Sequence, residues 1–178
     1  MVRWRSAYIL VCGFALGGIL LVSSTAAGRD TVEKLQAKIE RERNPVKKAK
    51  LEIKLARLKL EHAQDAYSKG NVSAGAELLN AYVDDMKSSW QTLLDSGRVA
   101  SRKPQGFKEL EIALREDSRV LEDLEHRIPV FDRKPVERAA GEAEKLHRQV
   151  LQALFPTLKS PKRRKHFVNP AGVPGGPV

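Results

Sequence analysis

Hydrophobic positions recur at helical spacing through most of the chain. Between about residues 31 and 155, apolar side chains return every three or four residues, which places them on one face of an α-helix. No stretch there alternates apolar and polar residues in the way that a half-buried strand does. The pattern predicts an all-α fold, an antiparallel bundle of four to five helices joined by short links.

Residues that start and stop helices predict the limits of these elements. Asn44 followed by Pro45 is typical of a helix start, because asparagine caps and proline suits the first helical position. Gly70 and Asn71 predict a turn, and Ile128 before Pro129 predicts a helix end. The expected helices are Thr31–Arg43, Pro45 to Gly70, Ser73–Leu94, Phe107–Arg127 and a fifth that is capped by Asp132 and runs to Phe155.

The second helix is apolar on two sides. Leu51, Leu55 and Leu58 lie roughly opposite its main seam at about 100° per residue. We expect these leucines either to be covered by the first helix and another element, or to form a self-association face in a homodimer. The seam consists of Val46, Ala49, Ile53, Ala56, Leu60, Ala63 and Tyr67.

A carboxylate interrupts the apolar seam of the fourth helix. Asp117 occupies the position between Leu114 and Leu121 at which another apolar residue is expected. If it is buried, it needs a partner, and an arginine or lysine from the basic first two helices or the Tyr82 hydroxyl would serve. The alternatives are exposure at the edge of the bundle and, less favoured, a catalytic acid.

One hairpin has the pattern of a known repeat. The stretch Leu58–Tyr82 carries small residues at both sides of a glycine-asparagine turn, namely Ala63, Ala66, Gly70 and Gly75. It resembles the helix-turn-helix of a tetratricopeptide repeat. The resemblance implies two helices in close antiparallel contact, and a groove of the kind that binds peptides.

The N-terminus has the three-part layout of a secretory signal peptide. Two arginines precede the apolar run Ala7–Val22, and small residues fill Ser23–Ala27. The run has 16 residues, fewer than the roughly 20 that a spanning helix needs. We therefore expect residues 1–27 to be removed and the protein to be exported, periplasmic or extracellular in a bacterial envelope. An uncleaved membrane anchor is the alternative.

Removal of the signal peptide would leave little reactive chemistry. The single cysteine, Cys12, would be lost with it, which excludes disulfides, thiolate nucleophiles and cysteine-based metal sites from the mature chain. A Glu-x-x-His pair at Glu144 and His147, with Asp123 and His126 on the preceding helix, is the sharpest candidate for a metal site in a helical bundle. The inward side of the fifth helix leaves Glu144 at its edge, so ordinary ion pairs are the favoured interpretation. We expect no catalytic residue, metal or cofactor.

Charge is concentrated at the C-terminus. The sequence has 32 lysines and arginines against 22 acids. Residues 28–156 are expected to form the bundle domain, and residues 157–178, rich in glycine and proline, a disordered basic tail. Within the bundle, Arg29–Lys59 is mainly basic and Gln105–Glu125 mainly acidic, so the two stretches are expected either to attract each other or to be solvated faces. The candidate polyanion-binding residues are Lys159, Lys162, Arg163, Arg164 and Lys165.

Three functional hypotheses follow from these patterns. The first is a non-enzymatic helical binding or scaffolding module that engages an unknown protein or an anionic envelope component, either a lipid headgroup or a glycan. The second is a periplasmic chaperone-like or stress protein that holds client proteins, and the third is a metal-binding helical-bundle enzyme. Nucleic acid is not expected as a partner of an exported chain.

Overall fold

The computed structural model describes residues 31–156. These residues form five α-helices and one 3-10 turn, with no strand among them, which confirms the all-α prediction. The predicted signal peptide and the tail, with its candidate residues Lys159 to Lys165, lie outside the described residues. The helices are α1 (Val32–Arg41), α2 (Pro45–Ser68), α3 (Val72–Asp95), α4 (Phe107–Arg127) and α5 (Lys134–Leu154).

Short polar side chains cap the first three helices. The Thr31 hydroxyl accepts from the backbone N–H three residues later at 3.4 Å. Asn44 accepts from the N–H groups two and three residues later at 3.0 and 3.2 Å, and Asn71 accepts from the one three residues later at 3.2 Å. Each bond satisfies a donor of the first turn that has no partner within the helix. The expected helix start at Asn44 is thus confirmed, and α3 begins at Val72 with Asn71 as its cap, one residue before the expected Ser73.

The fifth helix begins differently from the prediction. Asp132 does not cap it, because this residue closes a 3-10 turn, Val130–Asp132, that follows Pro129. The N-cap of α5 is Arg133, which makes no side-chain capping bond. Proline at the second helical position fixes the backbone there without one.

Ion pairs between helices define the topology. Those between α2 and α4 advance along both helices in the same direction, so α2 and α4 are parallel, while α3 and α5 run the opposite way. Three of them join the basic stretch before residue 60 to the acidic stretch after residue 105, which is one of the two alternatives that the charge distribution left open. The pairs are Lys59–Asp85 (α2–α3), Lys50–Glu109, Arg57–Glu116 and Arg57–Asp117 (α2–α4), and Lys87–Glu142 (α3–α5). A further polar contact joins Glu111 of α4 to His147 of α5.

The bundle therefore has two distinct ends. At the turn end lie the α2–α3 turn (residues 69–71) and the α4–α5 connection (residues 128–133). At the loop end lie the α1–α2 link (residues 42–44), the α3–α4 loop (residues 96–106) and the end of α5.

The core lies between α2, α3, α4 and α5. The α2 seam is buried from Ala49 to Tyr67, as its three-and-four spacing predicted. The hairpin that resembles a tetratricopeptide repeat is tightly packed, since a Cβ atom added at Gly75 would lie 2.6 Å from the Tyr67 ring. At the loop end the Trp90 and Phe107 rings pack edge to face, with centroids 5.6 Å apart. Because α3 is as long as α2, it covers this side of α2 along its whole length.

Candidate functional site

A groove of about 1030 Å³ lies between α1, α2 and α4. It exists because α1 has 10 residues and α2 has 24, so α1 covers only about 15 Å of a helix about 36 Å long. The groove is among the largest volumes expected for ligand sites, about 300–1,000 Å³. Its apolar lining is formed by Val32, Leu35, Ile53, Leu58, Leu60 and Val120.

One wall of the groove is a charged stripe on α2. The stripe residues are separated by four, three, four and four positions, which keeps them on one side of the helix. Its first half is basic and its second half acidic. The residues are Lys50, Lys54, Arg57, Glu61 and Asp65, and all five line the groove.

The two halves of the stripe differ in how their charges are compensated. Lys50 contacts Glu109 and Arg57 contacts two carboxylates of α4. Within residues 31–156, by contrast, Glu61 and Asp65 form no ion pair. Glu33 of α1 lies beside them, and hydrogen bonds to its backbone N–H and to Thr31 lower the pKa of its carboxyl group. The groove is therefore acidic towards the turn end.

An ion pair between a buried carboxylate and a half-exposed arginine lies at the bottom of the groove. Asp117 is 1% exposed, and its Oδ1 atom lies 3.2 Å from Arg57 Nε. Glu116 Oε2 lies 3.1 Å from Arg57 Nη2, so one guanidinium serves two neighbouring carboxylates. The structure thus confirms that Asp117 is buried and that an arginine of the second helix pairs with it.

Burial dominates the protonation of Asp117. It raises the pKa of this carboxyl group to about 6, against the opposing attraction of Arg57. Tyr82 adjoins it and is fully buried, and burial together with the Asp117 charge raises the pKa of the Tyr82 hydroxyl. A hydrogen bond from the Tyr82 hydroxyl opposes the rise in the pKa of Asp117.

The side of α2 that faces α3 carries polar contacts of another kind. Lys59 Nζ lies 2.7 Å from Asp85 Oδ2, and Glu52 Oε1 accepts from the hydroxyls of Ser88 and Thr92 at 3.2 and 3.1 Å. Burial raises the pKa of both Glu52 and Asp85. Because α3 covers these groups, they hold two helices together and line no groove.

The three leucines proposed as a second face of α2 have different environments. Leu55 is 4% exposed within a single chain, whereas Leu51 and Leu58 are half-buried. Leu58 also lines the groove. Self-association through this face stays a prediction.

The residues of the metal-site hypothesis do not converge. His147 Nε2 lies 3.3 Å from Glu111 Oε1 and 3.9 Å separates its Nδ1 from Glu144. Asp123 and His126 are exposed, about three and four turns further along α4 than Glu111. In the part of the chain from 31 to 156, no group of three or more histidines, cysteines or acids is placed to hold a metal ion.

The groove itself was not anticipated as a site from the residues. The stripe spacing is visible in the sequence, but the gap depends on how far a short α1 reaches along α2. Comparison of the chain with protein-family models, with curated proteins and with solved structures gives no match. Over residues 31–156, no helix has both the length and the apolar character needed to cross a bilayer.

Proposed function

We propose that this protein is a non-enzymatic binding module of the bacterial envelope, and that its groove receives an amphipathic helical segment of a partner protein. The observation that carries the proposal is the solvent-open groove between α1, α2 and α4, with an apolar floor and a charged wall.

The dimensions of the groove favour an elongated ligand. Its lining extends along α2 from Lys50 to Asp65, a distance of about 22 Å at 1.5 Å per residue. A helix of about 15 residues has this length and presents apolar side chains at i, i+3, i+4 and i+7, which is the usual mode of helix recognition in a groove.

The charges of the groove favour one orientation of that helix. Glu33, Glu61 and Asp65 lie together towards the turn end and form no ion pair with a lysine or arginine in residues 31–156, although His62 lies close enough to lower the pKa of Glu33. A lysine or arginine in the first turn of the bound helix, and the positive end of its dipole, would both be stabilised there. We therefore propose that the partner helix begins near Asp65 and ends near Lys50.

A designed peptide tests this proposal directly. The probe is a 15-residue helix, about the groove length, with one leucine face and two lysines in its first turn, titrated calorimetrically into the full chain. Leu58→Glu should weaken binding by at least about tenfold, since it places a charge on the apolar floor. Glu61→Lys with Asp65→Lys should weaken it less, and should favour a peptide whose first turn carries glutamates instead.

The matched control is Glu122→Lys with Asp123→Lys, an equal double charge reversal at two exposed residues of α4 outside the groove. This control should leave the affinity for both peptides unchanged. Equal affinity of the Leu58→Glu variant and the parent, with unchanged helicity, would remove the groove as the binding site.

A chaperone-like role is the second candidate, and the exposure of apolar groups favours it. Besides the groove, Val130 and Phe131 are 76% and 84% exposed. A holding chaperone would suppress aggregation of an unrelated unfolding protein at stoichiometric ratio and would bind leucine-faced peptides regardless of where their lysines lie. Selectivity for the orientation of charge would instead support a dedicated partner.

The location in the envelope is a separate part of the proposal and rests on residues 1–27. Intact mass of the protein purified from its native host should show the loss of 26 or 27 residues. Recovery of the full-length chain in the membrane fraction would replace cleavage with anchoring.

A further inference from the structure

The α4–α5 connection presents two apolar side chains to solvent at the turn end of the bundle. Val130 is 76% and Phe131 84% exposed, more than any other large apolar residue of the described chain, whereas Phe155 at the loop end is 48% exposed. We call Val130 and Phe131 the tip. Exposed apolar patches that are rimmed by polar residues mark protein–protein or membrane interaction sites.

The tip is held in place by the backbone around it. The Asp132 N–H donates to the Pro129 carbonyl at 3.0 Å, closing the 3-10 turn. Arg133 Nε donates to the Ile128 carbonyl at 3.2 Å, and Ile128 itself is buried. The exposure of Phe131 is therefore a property of a defined turn.

Four basic residues lie at the turn end of the bundle, which also carries the acids Asp65 and Asp132. Residues 126–136 contain Arg127, Arg133 and Lys134 but a single acid, Asp132. Lys69 lies in the other turn at the same end of the bundle. Among residues 31–156 none of these four cations forms an ion pair, although Arg127 Nε also donates to a backbone carbonyl. An apolar wedge with basic residues at its base is the chemistry that an anionic bilayer surface accepts.

We propose that the turn end is a membrane-docking surface: Val130 and Phe131 insert between the headgroups of an anionic bilayer, and Arg127, Arg133, Lys134 and Lys69 contact lipid phosphates. The bundle then stands on the bilayer with the loop end directed away from it. The proposal does not depend on what the groove binds, nor on whether residues 1–27 are cleaved.

Vesicle binding of the full chain tests the role of the tip. The probe is phosphatidylcholine vesicles with roughly one third phosphatidylglycerol, an anionic surface of the kind that attracts basic residues. Val130→Ser with Phe131→Ser should lower the partition coefficient by about tenfold or more, because it removes the apolar insertion. Phe155→Ser, the matched loss of an exposed phenylalanine at the loop end, should leave binding within about twofold of the parent.

A second measurement locates the contact. Phe131→Trp and Phe155→Trp are compared, after subtraction of the parent emission, on vesicles whose acyl chains carry bromine. Strong quenching at position 131 and little at position 155 is the expected result. Equal quenching, or stronger quenching at position 155, would assign the contact to the tail and overturn the proposal, as would equal binding to vesicles of phosphatidylcholine alone.

Discussion

The two apolar sides of α2 are covered by neighbouring helices to different extents. Towards α3, small residues and a full-length partner helix close the contact, and Gly75 leaves room for the Tyr67 ring. Towards α1 and α4, the partner helix α1 is too short to cover α2, and a groove of about 1030 Å³ remains. The difference shows that the length of the helix that packs on a face, rather than the apolar character of the face, decides whether that face is buried or exposed.

Both sides also contain a cation-carboxylate pair, and the pairs differ in burial. Asp85 keeps a side-chain exposure of 20%, whereas Asp117 keeps only 2% although it borders the groove. The open side of α2 therefore holds the more costly buried charge. Such a charge is tolerated when a partner is fixed beside it, and Arg57 is that partner.

The largest effect on stability is expected from Leu55→Asp. Leu55 is 4% exposed, so the variant buries an unpaired carboxylate and should lose about 3 kcal/mol or more of unfolding free energy. Urea denaturation measures the loss, and sedimentation tests the predicted homodimer. Unchanged stability together with unchanged sedimentation would show that this leucine face is ordinary surface.

The pair of variants Arg57→Met and Lys59→Met compares the two sides directly. Each removes the cation from one carboxylate and keeps the apolar stem. Because Asp117 is more buried than Asp85, Arg57→Met should cost about 2–3 kcal/mol at pH 7 and Lys59→Met about 1 kcal/mol. A larger loss for Lys59→Met would reverse our view of which side carries the costly charge.

A smaller effect, dependent on pH, is expected from Asp117→Asn. The pKa of Asp117 is raised from 3.8 to about 6 on folding, so the protonated form contributes stability below pH 3.8 that is lost as the pH rises through 6. Replacement by asparagine should therefore raise stability by up to about 2 kcal/mol above pH 6 and change little at pH 4. Equal effects at both pH values would mean that Asp117 does not titrate in this range.

The smallest effect on folding is expected from deletion of residues 160–178. This segment carries four of the five candidate polyanion-binding residues and follows the last helix. Helicity and melting temperature should stay those of the full chain, while salt-sensitive binding to polyanionic glycans should largely disappear. Retained glycan binding would transfer the site to the basic helices α1 and α2.

The sequence predicted the side of α2 that faces α3 well, and the side that faces α1 and α4 poorly. The α2 seam, the caps Asn44 and Asn71 and the limits of α4 depend on local spacing and capping chemistry, which neighbouring residues determine. The position of Asp117 in a regular seam raised the question of its burial, but the sequence left edge exposure open as the alternative. The groove could not be inferred, since it depends on the position of α1 relative to α4, two elements far apart in the chain. The tip at Phe131 was missed because a short apolar turn between charged residues has no helical period.

The most direct test of the central claim is quantitative capture of partners from the native envelope with matched variants. Leu58→Glu changes the groove floor, and Leu94→Glu changes a leucine of α3 that is 42% exposed and lies outside the groove. Both variants must first show the helicity of the parent. Our account predicts that a protein captured by the parent chain is lost with Leu58→Glu and retained with Leu94→Glu. Retention with both variants, or loss with both, would contradict the claim that the groove is the binding site.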